Sequence, residues 1–130
     1  MIFAVISSFV QSNDEDKICT SFESLCSLVS CDAVFFKPYL QDIVKLSVQM
    51  ATNQSFEPST RRIAIEFLLA LAEHGQGMIR KANYFVQMLV PVAHSFLLEI
   101  DEHSDWHSVA DEFELDQDNF NLGLEVCFLV

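Results

Sequence analysis

The fold is decided by residues 60–74, TRRIAIEFLLALAEH, because they repeat the apolar pattern of residues 17–31, KICTSFESLCSLVSC. A shift of 43 residues places Phe22 over Ile65, and the register then continues without a gap. In both stretches apolar side chains recur every three or four residues, which is the spacing of an amphipathic helix. Both stretches are therefore predicted to be helices that occupy the same place in a repeat.

A second helix follows in each unit. At the same shift Ile43 falls on Val86 and Leu46 falls on Leu89, and Pro38 is expected in the first turn of the earlier helix. A two-helix unit of about 40–47 residues is typical of HEAT and armadillo repeats. Such hairpins stack into a solenoid because one hairpin cannot bury its own apolar face.

The predicted division is a partial repeat at 1–11, repeats at 12–53 and 57–98, an acidic loop at 99–118, and the start of a further repeat at 119–130. The loop is inferred because the next copy of the first helix is displaced by 59 residues instead of 43. The expected fold is thus all-α, an α-solenoid of HEAT repeats made of antiparallel helix hairpins. Partial units at both ends indicate a piece of a longer protein or a truncated gene product.

The charge is strongly negative and unevenly distributed. The chain has 7 basic and 19 acidic residues and a formal charge of −12. Residues 82–130 hold ten of the acids and no Lys or Arg. A phosphate backbone repels such a surface, so nucleic acid is excluded as a partner and a basic protein is favoured.

Membrane insertion and disulfide formation are not predicted. No apolar run reaches the roughly 18–20 residues that span a bilayer, and the apolar N-terminus lacks the basic residues of a signal peptide. The four cysteines, Cys19, Cys26, Cys31 and Cys127, form no C-x-x-C pair. They are expected to be buried, reduced thiols of an intracellular protein.

Four stretches resemble importin-β-type karyopherins in the same order and spacing: residues 60–67 (TRRIAIEF), 71–73 (LAE), 77–81 (GMIRK) and 99–108 (EIDEHSDWHS). The similarity runs from about residue 14 to residue 125, and the importin beta-3 subtype is the most similar. The resemblance implies a HEAT-repeat receptor that shuttles between cytoplasm and nucleus. Its implied partners are the GTPase Ran and basic cargo proteins, with nucleoporins as a further candidate, and no cofactor is implied.

In importin-β the corresponding acidic loop contacts Ran and takes part in cargo exchange. By position, the resemblance transfers this role to ten residues: Glu99, Asp101, Glu102, Asp105, Trp106, Asp111, Glu112, Glu114, Asp116 and Asp118. The alternative is a solvated spacer, which is the usual explanation of a charge run. Trp106 favours an interface, because exposed aromatics are typical binding anchors, although it could equally pack back on the solenoid.

Four cations lie at predicted helix starts and connectors: Arg61, Arg62, Arg80 and Lys81. They could contact an acidic partner or a neighbouring repeat. The favoured interpretation, by roughly two to one, is that they pair with Glu66, Glu73 or the acidic loop, because equivalent positions in solenoids often form ladders between repeats.

No enzyme is predicted. His103 and His107, with Glu102 and Asp105, have ligand spacing only on a helix, and no cysteine lies near them, so a metal site is not expected. Adjacent His103, Ser104 and Asp105 cannot align as a catalytic triad. Two alternatives to a transport receptor stay open: a HEAT-repeat scaffold of another system, and a helical enzyme domain with an unrecognised site. A truncated fragment that transports nothing is also possible.

Overall fold

The computed structural model describes residues 2–99. Within this range the chain forms six α-helices and a 3₁₀ helix, without a strand. They are α1 (Ile2–Ser12), α2 (Glu15–Asp32), the 3₁₀ helix (Ala33–Tyr39), α3 (Leu40–Thr52), α4 (Pro58–His74), α5 (Gln76–Ile79) and α6 (Asn83–Leu98). The predicted all-α fold is confirmed.

The helix boundaries follow the 43-residue shift found in the sequence. The first helices of the two units begin at Glu15 and Pro58, and the second helices begin at Leu40 and Asn83. The 3₁₀ helix and α5, which begin at Ala33 and Gln76, are equivalent connectors. The two units therefore share one plan, a long helix, a short helical connector and a second helix.

Local chemistry explains where the long helices begin and end. The side chain of Asp14 accepts a hydrogen bond from the Lys17 amide and caps α2, and Pro58 lies in the first turn of α4. At the end of α4 the Gly75 amide donates to the Leu71 carbonyl at 2.9 Å. A Cβ at Gly75 would lie 2.8 Å from that oxygen, so glycine is required by this close approach.

The connector of the first unit differs from the prediction. Pro38 lies inside the 3₁₀ helix, and α3 begins only at Leu40. The Asp32 side chain accepts from the Val34 amide at 3.1 Å and starts this tighter helix. A proline fits there because it lacks an amide proton and holds a helical φ.

Helix α4 lies at the centre of the described core. It packs against both α2 and α3, and α6 packs on α3. The Phe67 ring of α4 meets Phe22 edge-on at 5.5 Å between centroids and Phe36 at 5.7 Å. All three rings are fully buried. The two units thus share one aromatic cluster, as the solenoid interpretation requires.

The exposed apolar residues of α6 include Val86, which the 43-residue shift places in the apolar stripe of that helix. Val86 and Val90 on α6 are 38% and 44% exposed, whereas Ile43 and Ser47, their counterparts on α3, are buried. The difference arises because α3 is covered by α4 and α6, while no described element follows α6. Equivalent positions in the two units therefore differ in burial, although the apolar pattern repeats.

By length and composition alone, the helical stretch Glu15–Thr52 could cross a membrane. It consists of α2, the 3₁₀ helix and α3, and α2 and α3 pack on α4. Core helices of water-soluble proteins meet the same criterion, and in this stretch Ile18, Phe22, Ile43 and Val44 belong to the buried core.

Replacing Phe67 with alanine tests whether the shared aromatic cluster holds the units together. We expect Phe67→Ala to lower the free energy of unfolding by about 3–5 kcal/mol, because it leaves a cavity between α2 and α4. Urea unfolding followed by circular dichroism measures the loss. Phe35→Ala is the control, since Phe35 is 44% exposed, and it should cost less than about 1 kcal/mol. Equal losses in the two variants would contradict the central role of Phe67.

Candidate functional site

The predicted acidic contact surface begins at the end of α6. Of its ten residues, the structure describes only Glu99, which follows the last residue of that helix. The other nine lie outside the described residues: Asp101, Glu102, Asp105, Trp106, Asp111, Glu112, Glu114, Asp116 and Asp118. The geometry at Glu99 therefore defines where the acidic segment leaves the helical array.

Glu99 is held by Arg61 of the neighbouring helix. The Arg61 guanidinium donates from Nη2 to Glu99 Oε1 at 2.5 Å and from Nε to the Ala51 carbonyl at 2.9 Å. Its central carbon lies 5.1 Å from the centroid of the Phe96 ring. One side chain of α4 thus joins the ends of α3 and α6, and we call this group the Arg61 junction.

Arg61 is a cation at a core position. It is 6% exposed, and in the repeat register it replaces Ile18, which is fully buried. A buried guanidinium is tolerated only when its donors are paired, and here the carboxylate, the carbonyl and the aromatic face provide that pairing. The predicted pairing with the acidic segment is confirmed for Arg61, and this burial removes it from the surface open to partners.

A second polar junction ties the starts of α2 and α4 together. Glu15 Oε2 accepts from the Thr60 hydroxyl at 2.5 Å and from the Glu57 amide at 3.1 Å. The Glu57 amide lies at the start of α4, where amides have no partner within the helix. Glu15 therefore caps the helix of the next unit. The sequence analysis missed this contact, because no local motif links residues 42 positions apart.

The remaining predicted cations behave differently. Arg80 and Lys81 lie at the opposite end of the helices, on the α5 connector, and are exposed. Within residues 2–99 neither forms an ion pair, so neither pairs with Glu66 or Glu73, and the predicted alternative, pairing with the acidic loop, lies outside the described residues for all of that loop except Glu99. Arg62 is half-buried on α4.

The described cysteines are free thiols in different environments. Cys19 and Cys26 are half-buried, but Cys31 near the end of α2 is exposed, so its predicted burial is wrong. Burial, together with the carboxylates of Glu66 and Glu23, raises the pKa of the Cys26 thiol to about 11. Cys26 therefore stays protonated at neutral pH. Cys127 lies outside the described residues.

Among residues 2–99 no group of three or more His, Cys, Asp or Glu side chains is arranged to hold a metal ion. His103 and His107, which were weighed as ligands, lie outside this range. The polar groups of the site instead join one helix to another, through the Arg61 junction and through Glu15. The described polar groups therefore stabilise the packing of the helices, as expected beneath a surface that binds other proteins.

Comparison with known sequences gives two findings. The model of a family described as "Importin repeat" matches residues 53–124, which is more than half of the chain. Importin subunit beta-3 of Saccharomyces cerevisiae is 26% identical over 124 residues. That similarity covers 90% of this chain but 11% of the yeast protein, so the chain spans about a tenth of its relative's length.

Solved structures share the fold. Crystal structures of Kap121p alone, bound to Pho4p and bound to RanGTP each match with a TM-score of 0.84 and 22% sequence identity. Each match covers 96% of this chain and 13% of the Kap121p chain. At this identity the likeness establishes the α-solenoid architecture.

The Arg61 junction can be tested by removing its charge. We expect Arg61→Met to lower the free energy of unfolding by about 2–4 kcal/mol, because it leaves the Ala51 carbonyl and the Glu99 carboxylate without their donors. Glu99→Gln is the control: its amide oxygen still accepts from Arg61, and it should cost less than about 1.5 kcal/mol. Urea unfolding measures both, and a loss below about 1 kcal/mol for Arg61→Met would show that the junction is dispensable.

Thiol alkylation tests the cysteine environments. At pH 8 iodoacetamide should modify Cys31 well before Cys26, since with a pKa of about 11 only about one Cys26 in a thousand is a thiolate. Mass spectrometry of peptides from timed samples measures the two rates. Unfolding in urea should bring the rates together. If Cys26 reacts as fast as Cys31 in the folded protein, the assigned burial is wrong.

Proposed function

Because this chain belongs to the importin repeat family, we propose that it is a segment of a nuclear import receptor of the importin-β class. The observation that carries the proposal is the family match over residues 53–124. Membership of this family indicates a transport receptor rather than an enzyme. The segment is therefore proposed to act by binding other proteins. The receptor to which it belongs is proposed to shuttle between cytoplasm and nucleus.

The proposed partners are Ran in its GTP form and basic cargo proteins. Kap121p, whose fold this chain shares, has been crystallised with RanGTP and with Pho4p. The charge of this chain supports partners of that kind, because residues 82–130 carry ten acids and no Lys or Arg. Such a surface attracts a basic partner and speeds its encounter.

The proposed contact surface is the acidic block, the ten residues from Glu99 to Asp118 named above. Its support comes from the base of the block. Glu99 is fastened by the Arg61 junction, so the chain enters the block from a defined point on α6. Attachment at a fixed point raises the local concentration of the following charges near a partner bound to the array.

The proposed repeat division is 12–53 and 57–98, with a further repeat beginning at 119–130. The equivalent helix starts in the two described units support it. The exposed face of α6 supports it too, because Val86 and Val90 occupy the positions at which α3 is covered by the following unit. Leu122 and Leu124 are proposed to be the first apolar residues of the next repeat, which would pack on this face of α6.

Neutralising the block tests its role. Changing Asp101, Glu102, Asp105, Asp111 and Glu112 to Asn or Gln in the 130-residue chain should weaken binding of RanGTP or a basic cargo peptide by about tenfold in about 50 mM salt. In about 500 mM salt the loss should be much smaller, because the Debye length falls below about 5 Å. Trp106→Ala should weaken binding equally at both salt concentrations if Trp106 is an apolar anchor. Biolayer interferometry measures these affinities.

The matched control changes five acids that are exposed on the helices and connectors: Asp16, Glu23, Asp42, Glu57 and Glu73. It alters the net charge by the same amount, so a smaller effect shows that position matters as well as charge. Unchanged affinity for both partners in the block variant and in Trp106→Ala would reduce the block to a spacer. A chain that binds neither partner would count against the receptor proposal itself.

A further inference from the structure

A pocket lies between the connectors of the two units, at the end of the array opposite Glu99. Its volume is about 520 Å³, within the range of ordinary ligand sites. The 3₁₀ helix contributes Val34 and Lys37, and the segment around α5 contributes Met78 and Lys81. We call it the connector pocket. Because α6 has 16 residues, the pocket lies roughly 24 Å from Glu99.

The lining combines an apolar floor with cations. Leu40 and Ala82 are buried at its base, and Lys37, Lys81 and His74 are exposed at its rim. None of the carboxylates that the structure describes lines it. Within residues 2–99 neither lysine takes part in an ion pair. The charge of the pocket rim is therefore opposite in sign to the net charge of the chain, which is −12.

Tyr84 adds a hydrogen-bond donor to the lining. Burial raises the pKa of its phenol, and the carboxylate of Asp42 raises it further, so the hydroxyl stays protonated. Asp42 acts from the first turn of α3 and is outside the pocket lining. The pocket therefore offers the Tyr84 hydroxyl, the His74 imidazole and two ammonium groups above an apolar floor.

We propose that the connector pocket binds an acidic peptide segment of a partner protein, with carboxylates on Lys37 and Lys81 and an aliphatic side chain over Leu40 and Met78. Charge complementarity selects this occupant, because the rim offers only cations and neutral donors. This site is additional to the acidic block, and its partner has the opposite charge. The receptor segment would then bind a basic protein at one end and an acidic peptide at the other.

The test is the binding of a short fluorescein-labelled peptide in which glutamates alternate with leucine and serine, measured by fluorescence anisotropy with the 130-residue chain. Lys37→Glu and Lys81→Glu should each weaken binding by at least about tenfold, because each sets a like charge against the peptide. Lys45→Glu is the matched control: Lys45 is exposed on α3 outside the pocket, and its change should cost less than about threefold.

Gly77→Leu tests the pocket without altering charge. Gly77 lines the pocket, and a Cβ there meets no atom within 4 Å, so a leucine can add bulk at the pocket without a clash in the fold. Circular dichroism checks that the helices are retained. We expect it to abolish binding. A matched peptide with glutamine in place of glutamate should bind at least about tenfold more weakly.

Three results would overturn the proposal. Equal losses of peptide affinity in Lys45→Glu and Lys37→Glu would show that the peptide is attracted by charge in general. Unchanged affinity in Gly77→Leu would show that the peptide binds outside the pocket. If the peptide binds only after Asp101, Glu102, Asp105, Asp111 and Glu112 are neutralised, the occupant is the acidic block of the chain itself.

Discussion

The burial of α4 against both α2 and α3 is the constraint on which the rest of the described structure depends. Neither unit can cover its own apolar residues, so Phe67 of the second unit completes a cluster with Phe22 and Phe36 of the first. Stacking also determines where polar groups can lie, because a polar side chain buried between the units must find a hydrogen-bond partner inside the array.

That requirement makes the two ends of the array chemically different. At the end where α3 and α6 finish, Arg61 and Glu15 link successive units, and their hydrogen bonds are satisfied inside the array. At the end with the connectors, Lys37 and Lys81 remain exposed around a pocket. The Arg61 junction thus lies where the chain passes into the acidic segment, and the connector pocket lies at the end that is open to solvent.

Much of the fold could be predicted from the sequence, because helix spacing and a constant shift are local and repetitive signals. The errors came where the surroundings decided the outcome. Val86 and Val90 carry the right pattern but lack a described neighbour, and Cys31 lies on an apolar helix but faces outward. The pairing of Arg61 with the acidic segment was anticipated, whereas the Glu15 contact had no sequence signal.

The sequence by itself determined that residues 2–99 are mainly helical, where α2 and α4 begin and where α4 ends, and that two units follow one plan, because periodicity, capping residues and glycine act over a few residues. Only the tertiary structure decided that Arg61, at the position of Ile18, is a paired core cation, and that two connectors enclose a cationic pocket. Those outcomes depend on residues tens of positions apart, which packing brings together and which no local pattern records.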